Sequence, residues 1–364
     1  PRILAARVLL PPVEASTRLL LHIVRAWNEA HPEAPLAKQD VVLTLPASFD
    51  DVARELTIRA AKGAGLEPTL LEEPTAAFYD AMRDVEAIRE HVVPRSPEEE
   101  KTVLVIDVGG GTTDLSLMAI AYAPLDKGGF TVRRVAVGRH ILLGGDNMDL
   151  ALAHLAESRI ESTAGGGARL ESSELAQLVL SCREAKERVL SSRSSKVNEA
   201  RVTLLGRGSK LIGGARGTTL TREEVENVVL QGFFPADVEI ETSAPKRAAI
   251  VAFGLPYERD PAVTRHIRQF LARHAGELPN GSPDVVLLNG GVFNAAPIVK
   301  ALKGALKQWS GRAPSMLPIS DPDLAVACGA VRYGFARQGL GVRVESGASR
   351  GYYVRVGDGH AENR

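Results

Sequence analysis

Val103-Leu104-Val105-Ile106-Asp107-Val108-Gly109-Gly110-Gly111-Thr112-Thr113-Asp114-Leu115-Ser116-Leu117 is the stretch whose reading decides the fold. An apolar, β-branched run ends in a carboxylate, passes through three glycines and resumes with strand-like alternation. The pattern predicts a strand, a tight turn and a second strand. Glycines carry no Cβ, so successive backbone N–H groups can converge on an anion and a phosphate can approach the main chain. Asp107, at the strand end, is expected to face the same space, where a carboxylate can hold Mg²⁺ through water or orient an attacking water. Thr112 offers a hydroxyl to a phosphate oxygen, and Asp114 a second carboxylate. An ordinary glycine-rich hairpin carries the same signature, so the flanking segments must decide.

Towards the N-terminus, the polar run Pro94 to Lys101 is expected to be a surface loop. Before it, Leu70-Leu71 begins a short strand running into Glu72-Glu73-Pro74-Thr75-Ala76-Ala77, with Pro74 suited to the first turn of a helix over 75–90. Val41 to Leu45 reads as a buried strand ending at Pro46-Ala47-Ser48-Phe49-Asp50, followed by a helix over 51–64 that Gly65 stops. Val13 to Ala30 reads as an amphipathic helix with Leu19, Leu20, Ile23, Val24 and Trp27 on one face. Beyond the hairpin, Phe130 to Val137 is a strand, and Gly144-Gly145-Asp146-Asn147 opens a helix over 147–160. Gly165 to Gly167 follow a helix and read as loop.

A helix over 171–192 carries the charged run Arg183 to Arg188, and strands are expected near 201–205 and 217–220. Thr221-Arg222-Glu223-Glu224 is a capping box. Helical patterns cover 244–253 and 261–274, Val285 to Leu288 is a buried strand, and a helix spans about 295–307. Asp321-Pro322-Asp323 starts a last helix that stops at Gly339. Tyr352 to Val356 reads as a lone strand. Strands and helices alternate throughout, which predicts an α/β class.

The 364 residues leave room for two or three domains or one bilobed enzyme, and 45% apolar with 24% charged residues is ordinary for a globular chain. Lys+Arg and Asp+Glu are both 44, so no net field draws the chain to nucleic acid or an anionic membrane. No run of 18 apolar residues and no basic-then-apolar leader is present. Cys182 and Cys328 are the two cysteines; both fall in helical patterns, as expected for a reducing, cytoplasmic setting without a disulfide framework. The histidines show no metal-binding spacing.

Several segments, in order, resemble one family. Val42 to Asp51 with Arg54, then Ala64-Gly65-Leu66, is similar to a segment of the seventy-kilodalton heat-shock chaperones of DnaK type. Glu73-Pro74-Thr75-Ala76-Ala77 looks like their next signature, Asp107 to Asp114 like their second phosphate loop, and Leu143-Gly144-Gly145-Asp146 like the entry to the upper part of their second lobe. Asn289-Gly290-Gly291 and Asp321 to Ala327 resemble their adenosine-binding segments. The resemblance spans roughly 14–339. It implies the actin-like ATPase fold (ribonuclease H-like), two lobes around a nucleotide cleft. The division implied is 1–100 for the remainder of the first lobe and 101–339 for the second. Within the second lobe about 147–225 forms its upper subdomain and the last helix returns to the first lobe; 340–364 is a linker or the start of a β region.

The resemblance also implies roles. Glu73 and Asp107 flank the attacking water and the Mg²⁺ shell, with Asp107 reaching the metal through water. Gly109, Gly110, Gly111, Thr112 and Thr113 serve the phosphates of ATP or ADP, and Gly144, Gly145 and Asp146 are further nucleotide-binding positions. The family spacing E-x-x-K-R-x-x-S, laid on this chain, reads Glu184, Glu187, Arg188, Ser191, with the lysine replaced by Glu187 and Lys186 adjacent. Gly290, Gly291, Asn294 and Asp323 are the remaining adenosine-side positions. Val292-Phe293-Asn294 stands where the family has Ser-Thr-Arg; Phe293 is either a stacking ring or a core residue. Pro46 and Arg54 match the proline switch and relay arginine, or else a strand-ending proline and a solvated charge.

Departures accompany the match. The first phosphate hairpin, the phosphate-contacting lysine and the interdomain linker are not found, and 251–271 has no counterpart in ordinary members. The expectation is a divergent bacterial-type member truncated at both ends and inactive as this piece alone. The implied function is ATP hydrolysis in a chaperone cycle. Its implied partners are unfolded clients held by a missing C-terminal region, a J-domain co-chaperone and a nucleotide exchange factor. Alternatives are a pseudo-ATPase scaffold, an actin-like filament protein, and a sugar or glycerol kinase, for which no second-substrate motif is found.

Overall fold

The computed structural model describes residues 10–83, 92–123, 130–163, 170–191, 196–204, 216–239, 258–318, 321–341 and 344–345. The chain begins with α1 (Pro12–Ala30), β1 (Val42–Leu45), α2 (Asp51–Gly63), β2 (Thr69–Glu72) and α3 (Glu73–Ala81). Then come β3 (Glu100–Val108), β4 (Thr113–Tyr122), β5 (Phe130–Val137), α4 (Gly145–Thr163), α5 (Ser172–Leu190), β6 (Glu199–Leu204) and β7 (Arg216–Thr221). The order closes with α6 (Arg222–Glu226), α7 (Val263–Arg273), β8 (Val285–Asn289), α8 (Ala296–Ser310), β9 (Ser315–Leu317), α9 (Ala325–Arg337) and β10 (Val344–Glu345).

Six strands form the main sheet in the order β10-β5-β4-β3-β8-β9. The β3–β4 and β4–β5 pairs are antiparallel, and β8 runs parallel to β3. Side chains alternate across the pleat. Leu104, Ile106, Val108, Leu115 and Leu117 therefore enter one core, with Met148, Leu152, Leu178 and Ile267 from α4, α5 and α7. Val103, Val105, Met118 and Ile120 enter another, with Phe78 and Tyr79 of α3. The sheet is thus sandwiched between helical layers, which explains why β3 reads as a continuous apolar run. β1 and β2 pair in parallel, and β6 and β7 form a separate antiparallel ribbon.

The capping box at Thr221 forms as expected: its side chain accepts from the Glu224 N–H, and Glu224 accepts from the Thr221 N–H at 2.9 Å. α9 begins at Ala325 rather than at Asp321, because Asp321 instead gathers the N–H groups of Asp323, Leu324 and Ala325 ahead of the first full turn. The helix expected over 75–90 is regular from Glu73 to Ala81 and is followed by a turn. Its remainder beyond residue 83, the pattern at 244–253, the glycines at 165–167 and the strand at 352–356 lie outside the described residues.

The α1 stripe departs from expectation. Leu20 and Val24 are half-buried, whereas Leu19 and Ile23 are 69% and 55% exposed. The cause is rotation: the Thr17 hydroxyl lies 3.2 Å from the Ala60 carbonyl of α2, so one edge of the apolar stripe faces α2 and the other faces outward.

α9 packs closely on α3. A Cβ at Gly329 would lie 1.7 Å from the Ala76 carbonyl oxygen. Gly329→Ala is therefore expected to force the helices apart and destabilise the fold by roughly 1–3 kcal/mol, as overpacking does. Urea unfolding would measure it; an unshifted midpoint would show that the contact yields freely.

Candidate functional site

The site is built where the main sheet meets the β1–β2 unit. β3 ends at Asp107, and the antiparallel register sets Asp114 of β4 directly opposite. Asn289 ends β8 beside it, and its Nδ2 donates to Asp107 Oδ2 at 2.8 Å. Glu73, the first residue of α3, approaches from the other unit, close enough for its charge to act on Asp107 and Asp114.

The glycine turn is interlocked with a second loop. The Gly109 N–H donates to the Thr112 carbonyl at 3.0 Å, closing the hairpin. The carbonyls of Gly109 and Gly110 accept from the N–H groups of Gly145 and Asp146 at 3.0 and 2.7 Å. A Cβ on Gly144 would sit 2.5 Å from the Gly110 carbonyl oxygen, which explains the glycine there. The N–H groups of Gly110, Gly111 and Thr112 have no backbone partner among the described residues. Successive unpaired N–H groups in a turn are the donor set of an anion cradle.

Burial and crowding perturb the acids. Burial pushes Glu73 up to about 7, helped by the charges of Asp107 and Asp114 and opposed by His140. Burial raises Asp107 to about 6 against the hydrogen bond from Asn289, with Asp114 adding to the rise. Ser48, just beyond β1, reaches across to Asp114 Oδ1 at 2.9 Å and His140 Nδ1 at 2.8 Å. A hydroxyl has one proton. Ser48 therefore donates to Asp114, and Nδ1 of His140 donates to Ser48. Asp114 in turn holds the His140 pKa above its ordinary value.

A cleft of about 420 Å³ runs from the two glycine loops along α5; Glu73, Asp107, Thr112 and Asp114 are not among the residues that line it. Gly109, Gly110, Gly145 and Asp146 line one end, and Leu190, Ser191, Asn294, Ala295 and Ile298 are further along its walls. Two cations line it, and both are engaged. Lys186 Nζ lies 2.7 Å from Asp149 Oδ1 and 3.2 Å from the Gly145 carbonyl. Arg183 bonds Asp149 Oδ2 at 2.9 Å and also pairs with Asp146.

The expected residues are distributed unevenly. Glu187, Ser191, Gly291, Asn294 and Asp323 line the cleft, and Asn294 Nδ2 donates to Asp323 Oδ2 at 3.2 Å. Glu184 and Arg188 do not line it; both are exposed, and Arg183 and Lys186 stand in the cleft instead. The cleft-lining residues of this stretch are therefore 183, 186, 187, 190 and 191, so two of the four expected positions, Glu187 and Ser191, line the cleft. Thr112 is half-buried at the turn, but Thr113 is fully buried and its hydroxyl donates to the Leu143 carbonyl at 2.7 Å, joining the two loops rather than facing the cleft. Gly111 is not a cleft-lining residue, and Gly290 precedes the 3₁₀ turn Gly291–Asn294. Phe293 is in the core and Val292 on the cleft wall, which rules out the stacking alternative in this conformation.

Pro46 follows β1 directly. Arg54 is not a solvated charge: it donates to Glu72 Oε1 at 2.6 Å and to the Phe49 carbonyl at 3.1 Å, and Glu72 also pairs with Arg134 of β5. Sequence reasoning missed Ser48, His140, Asn289 and Asp149. Of these, only Asn289 carried a signal, as the residue opening an Asn-Gly-Gly turn. Among the described residues no group of three or more His, Cys, Asp or Glu forms a direct metal-binding set, and no helix is long and apolar enough to cross a membrane.

Comparison with known proteins bears on this arrangement. A family model described as "Hsp70 protein" matches residues 9–235. The chain is 32% identical over 300 residues to the chaperone protein HscA homolog of Azoarcus sp. (strain BH72), covering 78% of this chain and 41% of that protein. It is 30% identical over 308 residues to the chaperone protein HscA of Photorhabdus laumondii subsp. laumondii, covering 82% of this chain and 43% of that protein. The chain thus spans about two fifths of the length of the curated relatives it matches.

Proposed function

Because the chain belongs to the Hsp70 family, whose fold is that of the actin-like ATPases, we propose that the cleft binds ATP and ADP and that the full-length protein hydrolyses ATP to drive a chaperone cycle. The observation that carries this reading is the meeting of Asp107, Asp114 and Glu73 beside the N–H cradle of Gly110, Gly111 and Thr112. Such a site stabilises charge developing on a transferring phosphoryl group by preorganised dipoles. We assign 1–100 to the first lobe, 101–339 to the second, with about 147–225 as its upper subdomain, and 340–364 to a linker or a following β region. The packing of α9 on α3 supports the return of the last helix to the first lobe.

In this reading the N–H groups of Gly110, Gly111 and Thr112 hold phosphate oxygens, and the Thr112 hydroxyl adds a donor. Asp107 orients the attacking water. Glu73, with a pKa of about 7, is poised to take its proton near neutral pH. The donor set fits Mg²⁺ held through water: Asp107 and Asp114 face each other as hard oxygen donors, and no all-protein cage surrounds them. When bound, the ion supplies charge neutralisation to phosphate oxygens. Clients bound through a C-terminal region, a J-domain co-chaperone and an exchange factor are the partners this role implies.

A phosphate-release assay with parallel nucleotide calorimetry on the full-length protein tests the proposal. Binding without turnover would favour the pseudo-ATPase scaffold, a reading supported by the engagement of both cleft cations with carboxylates.

We further propose that Arg54 relays between cleft and client region, since it ties the Phe49 turn to Glu72, the residue preceding Glu73. Arg54→Ala is expected to leave basal ATPase near parent level while removing stimulation by peptide or co-chaperone, a coupling of about 1–3 kcal/mol. Equal stimulation in both proteins would rule out the relay.

A further inference from the structure

If Asp107 serves hydrolysis as proposed above, the residue that bonds it has a part in the same reaction. β8 is Val285-Val286-Leu287-Leu288-Asn289, all five buried and four of them apolar. A fifth apolar residue would continue this packing. Asn289 instead carries an amide into the interior, where it is 1% exposed, and its Oδ1 has no hydrogen-bond partner among the described residues. An unpaired buried acceptor is destabilising. Departures of this kind from what packing favours gather at functional sites.

The sheet register explains what the amide is for. It pairs Asp107 with Asp114 on one side and with Asn289 on the other. Residues paired across neighbouring strands point to the same face, so the three side chains form a row. Adjacent carboxylates repel, and each of these two is held by a donor. The Ser48 hydroxyl bonds Asp114 at 2.9 Å, and the Asn289 amide bonds Asp107 Oδ2 at 2.8 Å. Among the described residues the Asn289 bond is the only one to the Asp107 carboxylate, which leaves Oδ1 to accept from water. The turn after β8 is shaped around that oxygen. A Cβ on Gly290 would lie 2.9 Å from Asp107 Oδ1 and 2.2 Å from the Val108 carbonyl oxygen, so glycine keeps a side chain off it.

We propose that Asn289 is a positioning residue for hydrolysis: it pins Asp107 through Oδ2 so that Oδ1 is presented to the attacking water, and Gly290 leaves that oxygen uncovered.

Single-turnover hydrolysis and ADP calorimetry on the full-length protein test this. Asn289→Leu, close in size but without a donor, is expected to slow hydrolysis of bound ATP about 10–10²-fold while ADP affinity stays within about threefold of parent. Asn289→Ala cannot crowd its neighbours, and the same slowing is expected of it should the leucine variant fail to fold. In an Asp107→Asn background either substitution is expected to add almost nothing, because the carboxylate it positions is already gone. A folded Asn289 variant at the parent rate, with Asp107→Asn slow, would overturn the proposal and leave the reaction at this site standing. A further loss of about tenfold or more in the Asp107→Asn background would also overturn it, as the mark of a defect that does not act through Asp107. Parent rates in both single variants, or no hydrolysis by the parent protein, would overturn the reaction assigned to Asp107 and the role of Asn289 with it.

Discussion

Asp107→Asn is expected to lower ATP turnover of the full-length protein about 10²–10³-fold while leaving nucleotide binding largely intact. The substitution keeps the shape of the side chain, and its amide oxygen can still accept from Asn289 Nδ2, now 2.8 Å from the carboxylate. It removes the charge that orders water at the strand end. It also removes the cost of ionising a buried carboxyl, the cause that raises the Asp107 pKa to about 6, so the fold is not expected to lose stability at neutral pH. Single-turnover hydrolysis together with ADP calorimetry separates the possibilities. Loss of binding and of cooperative unfolding would mark Asp107 as structural, and unchanged turnover would remove it from the reaction.

Glu73 predicts an equally large effect on stability. Its folded pKa is about 7 against an ordinary 4.5, so between these values the folded chain keeps a proton that the unfolded chain releases. Stability from this group is complete below about pH 4.5 and is lost as pH rises through 7, a loss of about 3 kcal/mol. Glu73→Gln cannot ionise. It should abolish this part of the pH dependence and make the nucleotide-free variant more stable than the parent at pH 8, although slower in hydrolysis. Urea unfolding at pH 5 and pH 8 checks the sign. Parallel slopes in parent and variant would show that Glu73 ionises without cost in the folded protein.

Much of the fold was legible because its signals are local. The hydrophobic run into Asp107, the three glycines and the alternation after them specify a hairpin whatever surrounds it, and the apolar run Val285 to Leu288 before Asn289-Gly290-Gly291 specifies a second strand and turn. What escaped depends on rotation or on distance. Along α5 each residue turns the helix by about 100°, so Glu184 and Arg188 lie away from the cleft while Glu187 and Ser191 line it together with Arg183 and Lys186. Charges of both signs stand side by side in Arg183-Glu184-Ala185-Lys186-Glu187-Arg188, and composition cannot fix that register. Thr113 was grouped with Thr112, yet Thr112 belongs to the turn while Thr113 opens β4, where it is buried and bonds Leu143. Ser48 and His140 are 92 residues apart and meet only because the two units are apposed.

The interlocking of the Gly109–Gly110 and Gly145–Asp146 loops has a consequence for the layout of the site. Both loops hang from the same sheet, so the phosphate seat is assembled within one unit, whereas Ser48 and Glu73 are delivered by the other. A shift of the turn after β1 would break the Ser48 contacts while the glycine loops and α3, whose Phe78 and Tyr79 pack in the core of the main sheet, stayed in place. On the function proposed above, the seat for phosphate and the hydroxyl that reaches Asp114 then belong to different parts of the chain. On that reading, substitutions at Ser48 and His140 change the surroundings of Asp114 without rebuilding the seat.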